Sequence, residues 1–262
     1  MEIKKDTLKK QIREWIDMDY IVPEDIPSIE LYMDQVTTFM DKYLEKNKRT
    51  PEDKTLTKTM INNYTKNELL PPPENKRYTK EHIILLIYIY YLKNVVSIND
   101  IHTVLRPLID NYYGNDKAAH SLNDIYSSLY NLEKYQYFNV ENSVVKAFEL
   151  SEKDFPGSED EYLKKLTFLS LLGYDIFMKK KLMEHIIDDM AREQRLEDEK
   201  RAEAEKHDKA KSDRGKREKA KADGAKPDKT KSEKARAEKT RIEKTKVDRQ
   251  RPVKYDKTNK SK

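Results

Sequence analysis

Pro71-Pro72-Pro73 forbids regular structure at one point of this chain and so orders what lies on either side of it. Three successive residues without an N–H can join neither a helix interior nor a central strand, and the residue ahead of a proline is pushed out of the α region. Upstream, Leu56, Met60, Ile61 and Tyr64 recur at helical spacing and predict a helix that the prolines end. Downstream, Lys76-Arg77 marks a short basic turn, and Thr79 is placed to cap a further helix. The apolar run from Ile83 to Leu92 would also suit a buried strand, but the polar first turn Lys80-Glu81-His82 and the lack of any break before Lys93-Asn94 favour helix. The resulting order is helix, hard stop, short basic hairpin, helix.

The rest of the body is helical by the same criteria. Leu8, Ile12, Trp15 and Ile16 share one side of a helix over residues 2–18, with Trp15 as a docking contact, and Pro23 to Pro27 form a linker. Ser28 is the expected N-cap of a helix to about Lys46, with Leu31, Tyr32, Gln35, Val36, Phe39, Tyr43 and Leu44 on its inner stripe. Asn47 to Lys54 is a polar loop. Ser97 with Asp100 opens a helix that Pro107 should disrupt. Further helices are expected over residues 117–136 and 142–153, and a long one from Ser158 through Ile186. A long helix of this kind either dimerises or packs back on the body.

From His207 the chain repeats every five residues, with an acid at the second position and a base at the fifth. Five residues turn a helix by about 140° per step, so this repeat builds no apolar face and no core. With Gly215, Gly224 and Pro227 interrupting it, a mostly disordered tail is expected. Residues 191–262 hold 27 Lys+Arg against 16 Asp+Glu, so they carry +11, and the formal +5 of the whole chain leaves −6 for residues 1–190. The basic pI therefore says nothing about the folded body.

Several classes of function fall away. The chain has no cysteine, and its five histidines lack metal-ligand spacing. Five glycines form no phosphate-binding loop, and no nucleophile motif appears, so neither an enzyme nor a cofactor is expected. The longest apolar run is about half of what a membrane-spanning helix needs, and the start of the sequence lacks a signal core, so a cytoplasmic location is expected.

The chemistry concentrates around the proline stop. On the helix before it, Thr55, Lys58, Thr59, Asn62, Asn63 and Lys66 are expected opposite the apolar arc, with no acid among them. Asn can pair bidentately with adenine, and Lys and Thr suit phosphates or base edges, so this face has the composition of a DNA-reading surface. Residues 46–80 hold nine Lys+Arg against four acids, a local +5 within the −6 body. Such segregation focuses phosphate attraction on one site.

Met60 to Pro72 resembles the second helix and turn of the MerR family of bacterial transcription regulators, where Thr-Leu-Arg-Tyr-Tyr-Glu leads to Gly-Leu-Leu-Pro-Pro. Lys76-Arg77-Tyr78-Thr79 resembles that family's Arg-Arg-Tyr-Ser wing end, and Val96 to Ile101 is similar to its Phe-Ser-Leu-Glu-Glu-Ile. A closer likeness, over about residues 26–150, is to the uncharacterised bacterial family called domain of unknown function 1836. It rests on Tyr32 to Met40, Thr57 to Lys66 and Leu69 to Pro73. Asn62, Asn63 and Glu68 depart from the MerR pattern, which has Arg, Tyr and Gly there, and the loop 47–55 is an insertion.

The resemblance implies an all-α chain. Residues 1–25 would be a helix and linker, 26–110 a MerR-like winged helix-turn-helix with a minimal β-wing, 111–190 a helical dimerisation or effector domain, and 191–262 the charged tail. It also implies a DNA-binding transcriptional regulator. Lys58, Thr59, Asn62, Asn63 and Lys66 would contact bases or phosphates, Lys76 and Arg77 would reach the backbone or minor groove, and residues 122–190 would hold a homodimer on two half-sites. The alternative is a protein-interaction module on the same scaffold, with the tail as an electrostatic tether.

Overall fold

The computed structural model describes residues 5–15, 20–154 and 161–222, within two compact units, Met1–Leu196 and Glu197–Lys262. The first unit is built almost wholly of helices. In chain order these are α1 (Lys5–Trp15), β1 (Leu31–Tyr32), α2 (Met33–Tyr43), a 3₁₀ turn (Glu45–Asn47), α3 (Lys58–Lys66), β2 (Arg77–Tyr78), α4 (Lys80–Leu92), α5 (Ile98–Tyr112), α6 (Leu122–Asp154) and the start of α7 (Glu161–Ala222). Helix α4 is the centre. Residues 82–87 are buried one after another, as happens only when a helix is covered on every side. One core runs from Ile21 through α2, α3, α4 and α5 to Ile187 of α7, and so crosses residue 110. A smaller apolar cluster joins Ile12 of α1 to Val145 of α6. The side chain of Trp15, and Ile16 with it, lie outside the described residues.

Local signals placed most of the boundaries. Thr57 caps α3 by accepting from the Met60 N–H. Ser97 and Asp100 exchange both bonds of a capping box at the start of α5. Helix α3 is not ended by the prolines, as expected, but stops at Lys66 in a Schellman motif: the Leu69 N–H donates to Tyr64 O at 2.9 Å and the Glu68 N–H to Thr65 O at 3.2 Å, with Leu69 and Tyr64 both buried. This geometry puts Glu68 at φ 58°, a left-handed conformation that costs an L side chain about 1–2 kcal/mol. Glu68→Gly is therefore expected to stabilise the fold by about 0.5–1 kcal/mol, the relief of strain being partly offset by the looser unfolded chain. Urea unfolding of the two proteins side by side checks this.

Further expectations are corrected. Ser28 caps no helix: Leu31 is buried and pairs with Tyr78, so the chain runs as strand and α2 begins only at Met33. There the Gln35 side chain turns back to accept from the Tyr32 N–H at 2.8 Å, instead of lying on an apolar stripe. Pro107 does not end α5, which continues to Tyr112. The Thr103 carbonyl, deprived by Pro107 of its usual N–H partner, accepts instead from Gln194 Nε2 of α7 at 2.8 Å. The two helices expected over 117–136 and 142–153 are one, α6, because nothing between them breaks the backbone. Finally, α7 stays helical through Ala222, deep into the expected disordered tail. Its alternating Glu, Lys, Arg and Ala residues are good helix formers that can pair at three and four residue spacings. The remainder of the expected tail, 223–262, lies outside the described residues, as does Ser158.

Candidate nucleic-acid interface

Helix α3 is presented to solvent by the segments before and after it. Thr55, expected on the exposed polar arc, is instead buried ahead of α3: it donates its hydroxyl to Asp41 Oδ1 at 3.2 Å, and its carbonyl accepts from Lys93 Nζ at 2.9 Å. Partial burial lowers the pKa of Lys93, yet its amine is committed to this bond. The same Asp41 is paired with Lys48 at 2.8 Å, a bond that holds its carboxyl below the usual range. The loop over 47–55 is thus tied to α2 and to the residue that follows α4, and the first turn of α3 starts from a defined place. Ile61 and Tyr64 then face the core, while Lys58, Thr59, Asn62, Asn63 and Lys66 are all exposed.

The basic hairpin follows from backbone conformation. Asn75 (φ 49°) and Lys76 (φ 63°) are both left-handed, and the Arg77 N–H donates to Glu74 O at 2.8 Å, which is the type I′ turn of a two-residue hairpin. Its upstream arm is mostly proline and pairs only through the single bridge Glu74↔Arg77. The strand that organises β2 is instead β1, antiparallel in the register Leu31↔Tyr78 and Tyr32↔Arg77. That pairing was not expected from the sequence.

His82 fixes the junction between this turn and the core. It is 1% exposed, and its Nδ1 accepts from the Thr79 N–H at 3.0 Å as the N3 partner of a capping box. Tyr113 Oη, just past the end of α5, lies 2.9 Å from Nε2, and the rings of Tyr78 and Tyr113 meet the imidazole edge-on. With Nδ1 an acceptor, the proton belongs on Nε2. Burial lowers the pKa of His82 to about 4, against the opposing pull of the Pro71 carbonyl and of Glu30. The ring is a neutral strut near neutral pH.

All seven sequence-nominated residues are exposed, but they are not equally available. Lys58 forms an ion pair with Asp34 of α2. Arg77 Nη1 lies 3.4 Å from Glu30 Oε2, and its guanidinium stands 5.7 Å from the centre of the Tyr32 ring. Thr59, Asn62, Asn63, Lys66 and Lys76 have no side-chain partner among the described residues. Sequence reasoning missed Glu30, Tyr32 and Asp34, because the charge count over 46–80 left out the segment that folds beside it. Their only sequence signal is the acidic character of residues 24–34, which hold Glu24, Asp25, Glu30 and Asp34. Among the described residues no group of His, Asp and Glu could hold a metal ion, and no helix is long and apolar enough to cross a membrane.

Residues 21–129 match the model of a protein family described as a domain of unknown function (DUF1836). The matched span takes in β1 to α5 and the first turns of α6, and so includes every nominated residue. No curated protein and no solved structure matches the chain.

Proposed function

We propose that the protein is a sequence-specific DNA-binding regulator of transcription on a MerR-like winged helix-turn-helix, with α3 in the major groove and the turn at residues 74–78 as a small wing. The observation that carries this reading is the exposed face of α3. It offers two amides, a hydroxyl and two lysines, contains no acid of its own, and stands on a rigidly capped helix. Asn62 and Asn63 suit adenine edges, while Lys66 and Lys76 suit phosphates.

A homodimer is the second part of the proposal. Nine large apolar side chains of α7, from Tyr162 to Ile186, are each 45% or more exposed. Five of them, Tyr162, Leu166, Leu169, Ile176 and Phe177, share one side of the helix and offer roughly 600 Å² per copy, of the same order as the roughly 800 Å² that a standard interface takes from each partner. Two copies would place two α3 helices on two half-sites, which a single domain of this size needs for tight binding. The ion pairs at Lys58 and Arg77 favour one other reading, an interaction module for a protein partner.

Selection of duplexes from a random pool by the full chain, followed by anisotropy titrations, tests the proposal. A preferred duplex is expected. Lys66→Glu with Lys76→Glu is expected to weaken binding to it on the order of 100-fold and to lower the salt slope by about 2. Random-sequence duplex bound through the basic tail serves as the internal reference. If no sequence is enriched, or the double substitution leaves affinity unchanged, the regulator reading fails and the interaction module stands.

A further inference from the structure

We propose that Glu30 and Asp34 are internal competitors for DNA phosphate, holding Arg77 and Lys58 in the free protein and thereby depressing affinity for every duplex alike. The inference rests on the DNA-binding reading above and concerns the regulation of that same surface.

Its basis is the placement of one short segment. Glu30 precedes β1, and the β1–β2 register sets Tyr32 across from Arg77. The guanidinium therefore lies against the Tyr32 ring and within 3.4 Å of Glu30 Oε2. Past Tyr32 the chain turns into α2, and its second residue, Asp34, meets Lys58, the first residue of α3. Five residues thus carry one carboxylate to a cation of the wing and another to a cation of the groove-facing helix.

Neither acid belongs to the core or to the helix cap. Both are at least half exposed, and the cap at the start of α2 is supplied by Gln35 and not by Asp34. A carboxylate and a phosphate present the same kind of acceptor to guanidinium and ammonium groups, so one can replace the other. Exposed pairs of this kind are worth about 0.2–1 kcal/mol each, weak enough to be exchanged when DNA arrives.

The exchange has a cost at the surface. Of the four nominated cations, Lys58 and Arg77 enter the complex already neutralised, and only Lys66 and Lys76 meet phosphate with no bond to break. Two released carboxylates are then left beside the backbone of the nucleic acid. The penalty contains no base contact, so it falls equally on all sequences. Occupancy then depends on what Asn62 and Asn63 add.

The test compares three full-length proteins on the selected duplex and on a random duplex over a range of salt. They are the wild type, Glu30→Gln/Asp34→Asn, and Glu24→Gln/Asp25→Asn, which changes net charge equally at neighbouring acids that hold neither cation. The first double variant is expected to gain about 3–30-fold in affinity on both duplexes, with a salt slope steeper by about 1–2 and an unchanged ratio between duplexes. The control should gain no more than about twofold. A gain equal to the control's, an unchanged slope, or a shifted ratio overturns the inference, while the wild type's sequence selection keeps the DNA-binding reading standing. If neither the wild type nor the variant binds DNA, both fail together. Binding that appears only in Glu30→Gln/Asp34→Asn supports the competition. Should that protein not fold, Glu30→Gln alone, altered at an exposed position outside any helix, decides through the same comparison at about half the logarithmic gain.

Discussion

Bringing the protein from about pH 7 to about pH 4 is expected to remove roughly 3 kcal/mol of folding stability through His82 alone. The imidazole is 1% exposed and is held neutral as the acceptor for the Thr79 N–H, with a pKa lowered to about 4 from the ordinary 6.5. Between those values the unfolded chain binds a proton that the folded state refuses, so stability is fully present above the unfolded value and falls as pH drops towards the folded one. Other groups act elsewhere or oppositely. Hydrogen bonds from Lys48, Thr50 and Ser121 lower the pKa values of Asp41, Asp53 and Asp124, so those carboxylates lose their contributions only below the normal carboxylate range. Burial raises that of Glu133, which slightly favours the fold as pH falls.

The variant His82→Gln isolates the effect. Gln is the common third-position partner of a Thr cap, so it can still accept from Thr79, but it does not titrate. Urea unfolding at pH values spanning about 4 to 7 should give a sloping profile for the wild type and a nearly flat one for His82→Gln. Parallel slopes in the two proteins would mean that the acid sensitivity lies in the carboxylates.

Leu169→Glu with Ile176→Glu is expected to convert a dimer into a monomer and to lower affinity for a two-half-site duplex by a factor on the order of 100 or more. These side chains are 64% and 65% exposed, lie seven residues apart, and so occupy one side of α7. Further along the helix, Met183 and Ile187 pack on the main core. In the earlier turns Phe168 meets Phe148 of α6, with ring centres 5.6 Å apart, while Leu169 and Ile176 stand on an exposed side. An exposed apolar side of this kind is the usual mark of an interaction surface. Because both positions are open to solvent in the single chain, the substitutions should spare its melting temperature. Sedimentation equilibrium with thermal melting separates the outcomes: a wild type that is already monomeric removes the dimer from the proposal, and a dimer that persists in the variant moves the interface to another face.

Much of the architecture was legible because it depends on residues close together in the chain. The capping box at Ser97 and Asp100, the start of α4 after Thr79, and the opposition of Ile61 and Tyr64 to Lys58, Asn62 and Lys66 are all decided within one or two turns of backbone. What misled were local signals that a distant partner overrules. Ser28 has the composition of a cap, but the pull of Leu31 into the core and its pairing with Tyr78 make a strand there. Pro107 breaks the hydrogen-bond ladder as any proline does, yet Gln194, 91 residues away, caps the carbonyl it orphans.

The candidate surface divides in the same way. The sequence by itself determined which side chains of α3 and the hairpin turn point outward, since helical periodicity and turn chemistry settle that from nearest neighbours. Only the tertiary structure decided how their charges are spent. Arg77 meets Glu30 across 47 residues, and Lys58 meets Asp34 from another helix. Coulomb attraction depends on distance in space, and no count along a chain records which acid will fold beside which base.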